Sequence, residues 1–251
     1  MCRLLFGIFS LFSCAGALAD TNEVSLADYK PYYNGKPWPR WPMIAYVETA
    51  SNIWVHPTDP TRFPTVQEAC DSNSDFATVI LRLPDGTAYK TYSWNTPVLG
   101  FSYVYSGDIN GDGKPDFVAV QYSGGCGLAA EYCTGVFAFS DGDGNGNGYK
   151  FTRIRTMDLT AADLVIDPAT KQFRLVQTSF RGATSIDGRN HNFWVHRFYI
   201  WNGNSFITDS TLPPVWIMYL YRPNHEPTKM LTPELKQKAW DEDPELDNIE
   251  W

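Results

Sequence analysis

The chain has 251 residues, 20 basic against 28 acidic side chains, a formal charge of −8 and a pI near 4.9. That length is enough to bury a real core in one large domain or two small ones. The acidity excludes nucleic acid and anionic membrane surfaces as expected partners, because both need basic patches to neutralise phosphate, and it suits cations instead.

In chain order, Arg3, the apolar run Leu4 to Phe12 and then Ala17-Leu18-Ala19 before Asp20 have the order of a secretory signal peptide, so 1–19 is expected to be removed on export to the periplasm or beyond. A second reading takes Leu11-Phe12-Ser13-Cys14 as a lipoprotein box with lipid on Cys14, although Phe12 stands where a small residue is usual. No later apolar run approaches the ~18 residues of a membrane span, so none is expected. Residues 20–49 form an arm rich in proline and tryptophan, "YYNGKPWPRWPM" at 32–43. Prolines at this density favour an extended path, and Trp38 and Trp41 either offer a platform to a sugar or peptide or pack onto a sheet.

From 50 to 230 the pattern is all-β, mainly antiparallel. "FATVILRL" (76–83), "FVAVQY" (117–122), "GVFAFS" (135–140), "FRLVQTSF" (173–180) and "FWVHRFYIW" (193–201) are rich in β-branched and aromatic residues and are separated by glycine, proline, aspartate and asparagine turns. Asn202-Gly203 predicts a tight hairpin between "FYIW" and "SFITDS", since both residues accept positive φ. Helix is expected only in 231–251, where Thr232 caps, Pro233 opens and "ELKQKAW" follows, ahead of an acidic tail.

Export leaves Cys70, Cys126 and Cys133. Cys126 and Cys133, close together in "GGCGLAAEYCTG", are the expected disulfide, with Cys70 reduced and buried. Cys126 as a nucleophile is the competing reading, with no histidine near it in sequence.

Chemistry concentrates in "SGDINGDGKPDFVAV", 106–120. Asp108, Asn110 and Asp112 stand at positions 1, 3 and 5, Gly113 at 6 where a sharp turn is needed, the Lys114 carbonyl at 7 and Asp116 at 9. The donors are all oxygen, and three carboxylates so close repel one another unless a hard cation such as calcium joins them. An EF-hand needs glutamate at position 12, yet Ala119 stands there and the apolar alternation predicts a strand. The loop and strand, with "DGDGNGNGYKF" some thirty residues on, resemble the FG-GAP or VCBS repeat of integrin-α-type β-propellers over residues 101–154. That resemblance implies metal roles for Asp108, Asn110, Asp112, Lys114 and Asp116, with calcium as cofactor, and a small or irregular propeller-like architecture with a short C-terminal helix. Only one clear copy of the loop is present. Asp141, Asp143 and Asn145 repeat the alternate spacing, but Tyr149 falls at position 9.

Catalytic constellations are thin. His191 and His196, five apart on an expected strand, face opposite sides; His56 and His225 stand beside prolines; and Arg222, Asn224, His225 and Glu226 cluster in "YLYRPNHEPTKMLT". Two functions follow: an exported calcium-binding module that recognises a protein or carbohydrate, or a secreted or periplasmic hydrolase of glycans or esters in which calcium is structural.

Overall fold

The computed structural model describes residues 38–50, 52–70, 77–92, 100–122, 132–141, 148–157, 159–218 and 231–242. After β1 (Ile44–Ala45), a first sheet runs β2 (Val47–Ala50), β3 (Ile53–Val55), β4 (Thr65–Cys70), β5 (Ala77–Arg82) and β6 (Ala88–Tyr92), each strand beside the next. A central sheet has the order β1, β7 (Tyr103–Gly107), β8 (Asp116–Tyr122), β9 (Tyr132–Asp141) and β10 (Gly148–Met157). The third contains β11 (Leu164–Ile166), β12 (Phe173–Thr184), β13 (Asn190–Trp201) and β14 (Phe206–Thr208), with β15 (Val215–Met218) also beside β13. All pairings are antiparallel, so the fold is all-β as expected. One α-helix, α1 (Pro233–Glu242), is described; the Thr232 hydroxyl accepts from Leu235 N at 3.3 Å at its start. No helix among the described residues is long and apolar enough to cross a membrane.

The sheets pack face to face in succession, and the alternation of β8 and β9 explains the order. Val118, Val120, Phe137, Phe139 and Ile154 meet Leu164, Phe173, Leu175, Tyr199 and Phe206 of the third sheet. The intervening Phe117, Ala119, Val136 and Ala138 meet Val66, Val79 and Leu81 of the first. With both faces covered, β8 is buried from Asp116 through Gln121 and reads as a nearly continuous apolar run. Each such aromatic or aliphatic side chain contributes about 1.5–3 kcal/mol on full burial. On the outer face of the third sheet Trp38 covers Val176 and Phe198, while Leu231 and Ala239 pack on Phe193 and Trp216 on the opposite face, which also carries Tyr199.

The arm belongs to this packing. Trp41 N donates to Leu164 O and Ile166 N to Pro39 O, which lays the arm along β11. Ile44 and Ala45 then pair with Ser106 and Tyr105 in the central sheet, and Val47 pairs with Val55 in the first. A short extended stretch thereby crosses all three sheets. The tryptophans are packing groups: Trp38 is buried and stacks on Phe198 at 4.9 Å, and Trp41 meets the Phe173 ring edge-on at 5.4 Å. Thr49 and Ala50, on either side of the expected boundary, both lie in β2.

Gly107 sets how closely the arm approaches. A Cβ there would lie 2.6 Å from Met43 Sδ and 2.7 Å from the Pro42 carbonyl oxygen, and backbone cannot rotate away. Gly107→Ala is expected to lift the arm off β7 and cost about 1–3 kcal/mol, read as a lower urea midpoint at unchanged slope.

Candidate metal centre

The segment 108–115 joins β7 to β8, whose register brings Gly107 opposite Asp116. Gly111 and Gly113 take φ of 81° and 82°, a region where a side chain would be strained, and this lets the loop coil on itself. Its side chains then accept from its own backbone. Asp108 Oδ1 accepts from Gly111 N at 2.8 Å and its Oδ2 from Gly113 N at 3.0 Å. Asn110 Oδ1 accepts from Asp112 N at 3.1 Å, and Asp112 Oδ1 from Lys114 N at 2.8 Å. The Asn110 and Asp112 bonds, each two residues on, are the Asx turns that short polar side chains form in place of regular structure.

Asp116 sits beneath the loop and is 0% exposed. Its Oδ2 accepts from Ile109 N at 2.7 Å and Asn110 N at 3.0 Å, its Oδ1 from Ser140 N at 2.7 Å and the Ser140 hydroxyl at 3.1 Å. Burial pushes the carboxyl up to about 6, against the lowering effect of those donors from Ser140, Asn110 and Ile109. The Ser140 hydroxyl lies closer to Asp112 Oδ2, at 2.6 Å, the length of a charge-assisted bond. Neighbouring strands fix the rim: Asn110 Nδ2 donates to Ser140 O, Trp41 Nε1 to Asp108 O and the Tyr149 hydroxyl to Pro115 O. Burial first, then the Asp116 and Asp112 carboxylates, raise the Tyr149 phenol well above its ordinary value.

The donor set fits a hard cation in chemistry. Asp108 and Asp112 each accept two hydrogen bonds where a carboxylate has room for about four, and Asp112 is exposed. Asp116 differs, because three backbone N–H donors and the Ser140 hydroxyl, shared with Asp112, already face its two oxygens. As folded here the loop carboxylates turn to backbone N–H groups, and among the described residues no group of three or more His, Cys, Asp or Glu converges closely enough to hold a metal ion.

The other sequence candidates are held apart by different partners. His191 Nε2 lies 2.9 Å from Asp187 Oδ2 in the turn between β12 and β13, and the Ser185 hydroxyl donates to Asp187 Oδ1 at 2.7 Å. Serine and histidine both address the aspartate there, which is the wrong order for a nucleophile and its base. That carboxyl is held far below its ordinary value by Ser185, then Arg189 N and His191. His196 Nδ1 lies 2.9 Å from the Thr178 hydroxyl. His56 is buried, stacks on Phe63 at 4.1 Å and accepts at Nδ1 from Thr58 N and Asp59 N. Cys133 is buried in β9 and Cys70 ends β4. Cys126, Asp143, Asn145, Arg222, Asn224, His225 and Glu226 lie outside the described residues, and Asp141 pairs through its backbone with Gly148.

The contacts of Ser140, Trp41 and Tyr149 with the loop were not legible in the sequence. These residues reach the loop through strand register and the path of the arm, and no spacing in the chain encodes either. Comparison with protein-family models, with curated proteins and with solved structures gave no match.

Proposed function

We propose that this protein is an exported calcium-binding β-sheet module that acts by binding a protein or carbohydrate ligand, and not by catalysis. The observation that carries the calcium reading is the coiled loop 108–115, which presents only oxygen donors at its tip and leaves acceptor capacity on Asp108 and Asp112. Asp108, Asn110, Asp112 and the Lys114 carbonyl would hold the ion. Asp116 would join them by giving up one of its present donors. The ion would supply the positive charge that the carboxylates lack. Successive meander sheets packed face to face agree with the FG-GAP or VCBS resemblance, as an open run of three in place of a full propeller. Export through the signal at 1–19 goes with millimolar extracellular calcium and with a Cys126–Cys133 disulfide. A binding role is favoured over hydrolysis because His56, His191 and His196 each serve a separate turn or strand contact.

The test is thermal unfolding in ~1 mM calcium and in excess chelator. An extracellular-type site of Kd ~10 µM would add about 2.7 kcal/mol, several degrees of melting temperature, and magnesium much less. Asp112→Ala is expected to abolish that increment while changing the chelated protein by ~1 kcal/mol or less, since among the described residues its side chain accepts from Lys114 N and the Ser140 hydroxyl alone. Equal melting temperatures of the wild type in calcium and in chelator would sink the calcium reading.

A further inference from the structure

Where the first sheet packs on the central one, two polar side chains meet inside an apolar interface. Glu68 follows Val66 on the inward face of β4, and Gln121 follows Phe117 and Ala119 on the inward face of β8. Each is 3% exposed. Gln121 Nε2 donates to Glu68 Oε1 at 2.8 Å, yet Glu68 Oε2 and Gln121 Oε1 are both buried with no hydrogen-bond partner among the described residues. Both orphans are acceptors. A carboxylate cannot donate and the amide oxygen cannot donate, so the pair is one proton short of satisfaction. A third acceptor crowds the same place: a Cβ on Gly100 would meet Asn52 Oδ1 at 2.9 Å and Glu68 Oε2 at 3.3 Å.

We propose that Glu68 carries a proton at neutral pH and acts as a latch between the first and central sheets, its carboxylic acid donating from Oε2 to Gln121 Oε1 while Oε1 accepts from Nε2. The acid and amide then form a two-bond ring that spans the interface and leaves neither orphan. Above neutrality the proton passes to solvent water, and a buried carboxylate remains facing the Gln121 amide oxygen, which weakens the seam.

Among the described residues no cationic group faces Glu68. Gln121 from β8, Val79 from β5 and Gly100 ahead of β7 bring no charge to Glu68. From the turn before β3 comes Asn52, whose N–H is held by the exposed Glu48 Oε1. Burial alone pushes the Glu68 carboxyl up to about 7 from an ordinary 4.5. Its folded value lies above its unfolded value, so the contribution is complete at and below about 4.5 and fades as pH rises through about 7. The latch is independent of the metal loop and stands or falls without it.

The test uses the full chain at fixed calcium, with urea unfolding from pH 5.5 to 8 for the wild type and Glu68→Gln. The wild-type unfolding constant is expected to rise by about 30-fold more than that of the variant, whose amide keeps the neutral form at every pH. The native Glu68 13Cδ resonance, assigned through its backbone connectivity to Gln67 and Ala69, should titrate with a midpoint near 7. That second measurement needs only the wild type, so it decides the matter if the variant does not fold. A 13Cδ midpoint below 5 overturns the proposal, as does an identical pH profile in the two proteins.

Discussion

Arg174→Met is expected to cost about 3–5 kcal/mol, the largest single loss in the third sheet. Arg174 is 5% exposed on β12. Its Nε donates to Asp209 Oδ2 at 2.7 Å and one terminal nitrogen to Asp167 Oδ2 at 3.2 Å, while the other reaches Phe173 O at 2.9 Å. Asp167 and Asp209 in turn cap the turns beyond β11 and β14 through Ala169 N and Thr211 N. Burial alone would raise both carboxyls. Thr170 and Ala169 at Asp167, Thr211 at Asp209, and Arg174 at each outweigh it and hold both below the ordinary carboxylate range. Depressed folded values make this stabilisation present above the unfolded value of 3.8 and lost as pH falls below it. Methionine keeps the packing volume but leaves two buried anions unpaired. In a chain of this size the melting temperature should drop by roughly 10 °C, and adding Asp167→Asn and Asp209→Asn should recover most of it, since the amide oxygens still cap the turns. A loss below ~1 kcal/mol in the single variant would show that the network is solvated and weak.

Asp116→Ala should be comparably severe, about 3–5 kcal/mol, and it separates two roles at the metal loop. The substitution strips acceptors from Ile109 N, Asn110 N and Ser140 N, and each buried orphan N–H costs about 1–3 kcal/mol. Because those bonds form without any ion, the loss should appear in full when urea unfolding is measured in chelator. Asp112→Ala, by contrast, should show its effect only in calcium. If chelated Asp116→Ala unfolds at the wild-type urea midpoint, Asp116 serves only as a ligand and its bonds from Ile109, Asn110 and Ser140 do not hold the loop.

Sequence alone was enough to determine the class of the fold and the place of the loop. Strands such as Phe173–Thr184 and Asn190–Trp201 declare themselves by local composition, the hairpin by Asn202-Gly203, the helix by Thr232 and Pro233, and the loop by alternating Asp and Asn with Gly111 and Gly113. These are short-range effects: φ preference, side-chain capping and two-residue periodicity act within a few residues, so a linear reading captures them. Gly148–Met157 was not legible as a strand, because only four of its ten residues are apolar or aromatic, and it is set by pairing with β9.

Only the tertiary structure decided the rest. Phe117 and Val118 look alike in sequence, yet they face different sheets because β8 lies in the middle of the stack. Trp38 and Trp41 could have been a ligand platform, and contact with Phe198 and Phe173 made them core. Ser140 comes to Asp116 through the pairing of β8 with β9, and Glu68 meets Gln121 across fifty-three positions. Burial, register across sheets and the loss of solvent around a carboxyl arise only when distant segments pack, and those three govern which oxygens are spare, which are satisfied and which keep a proton.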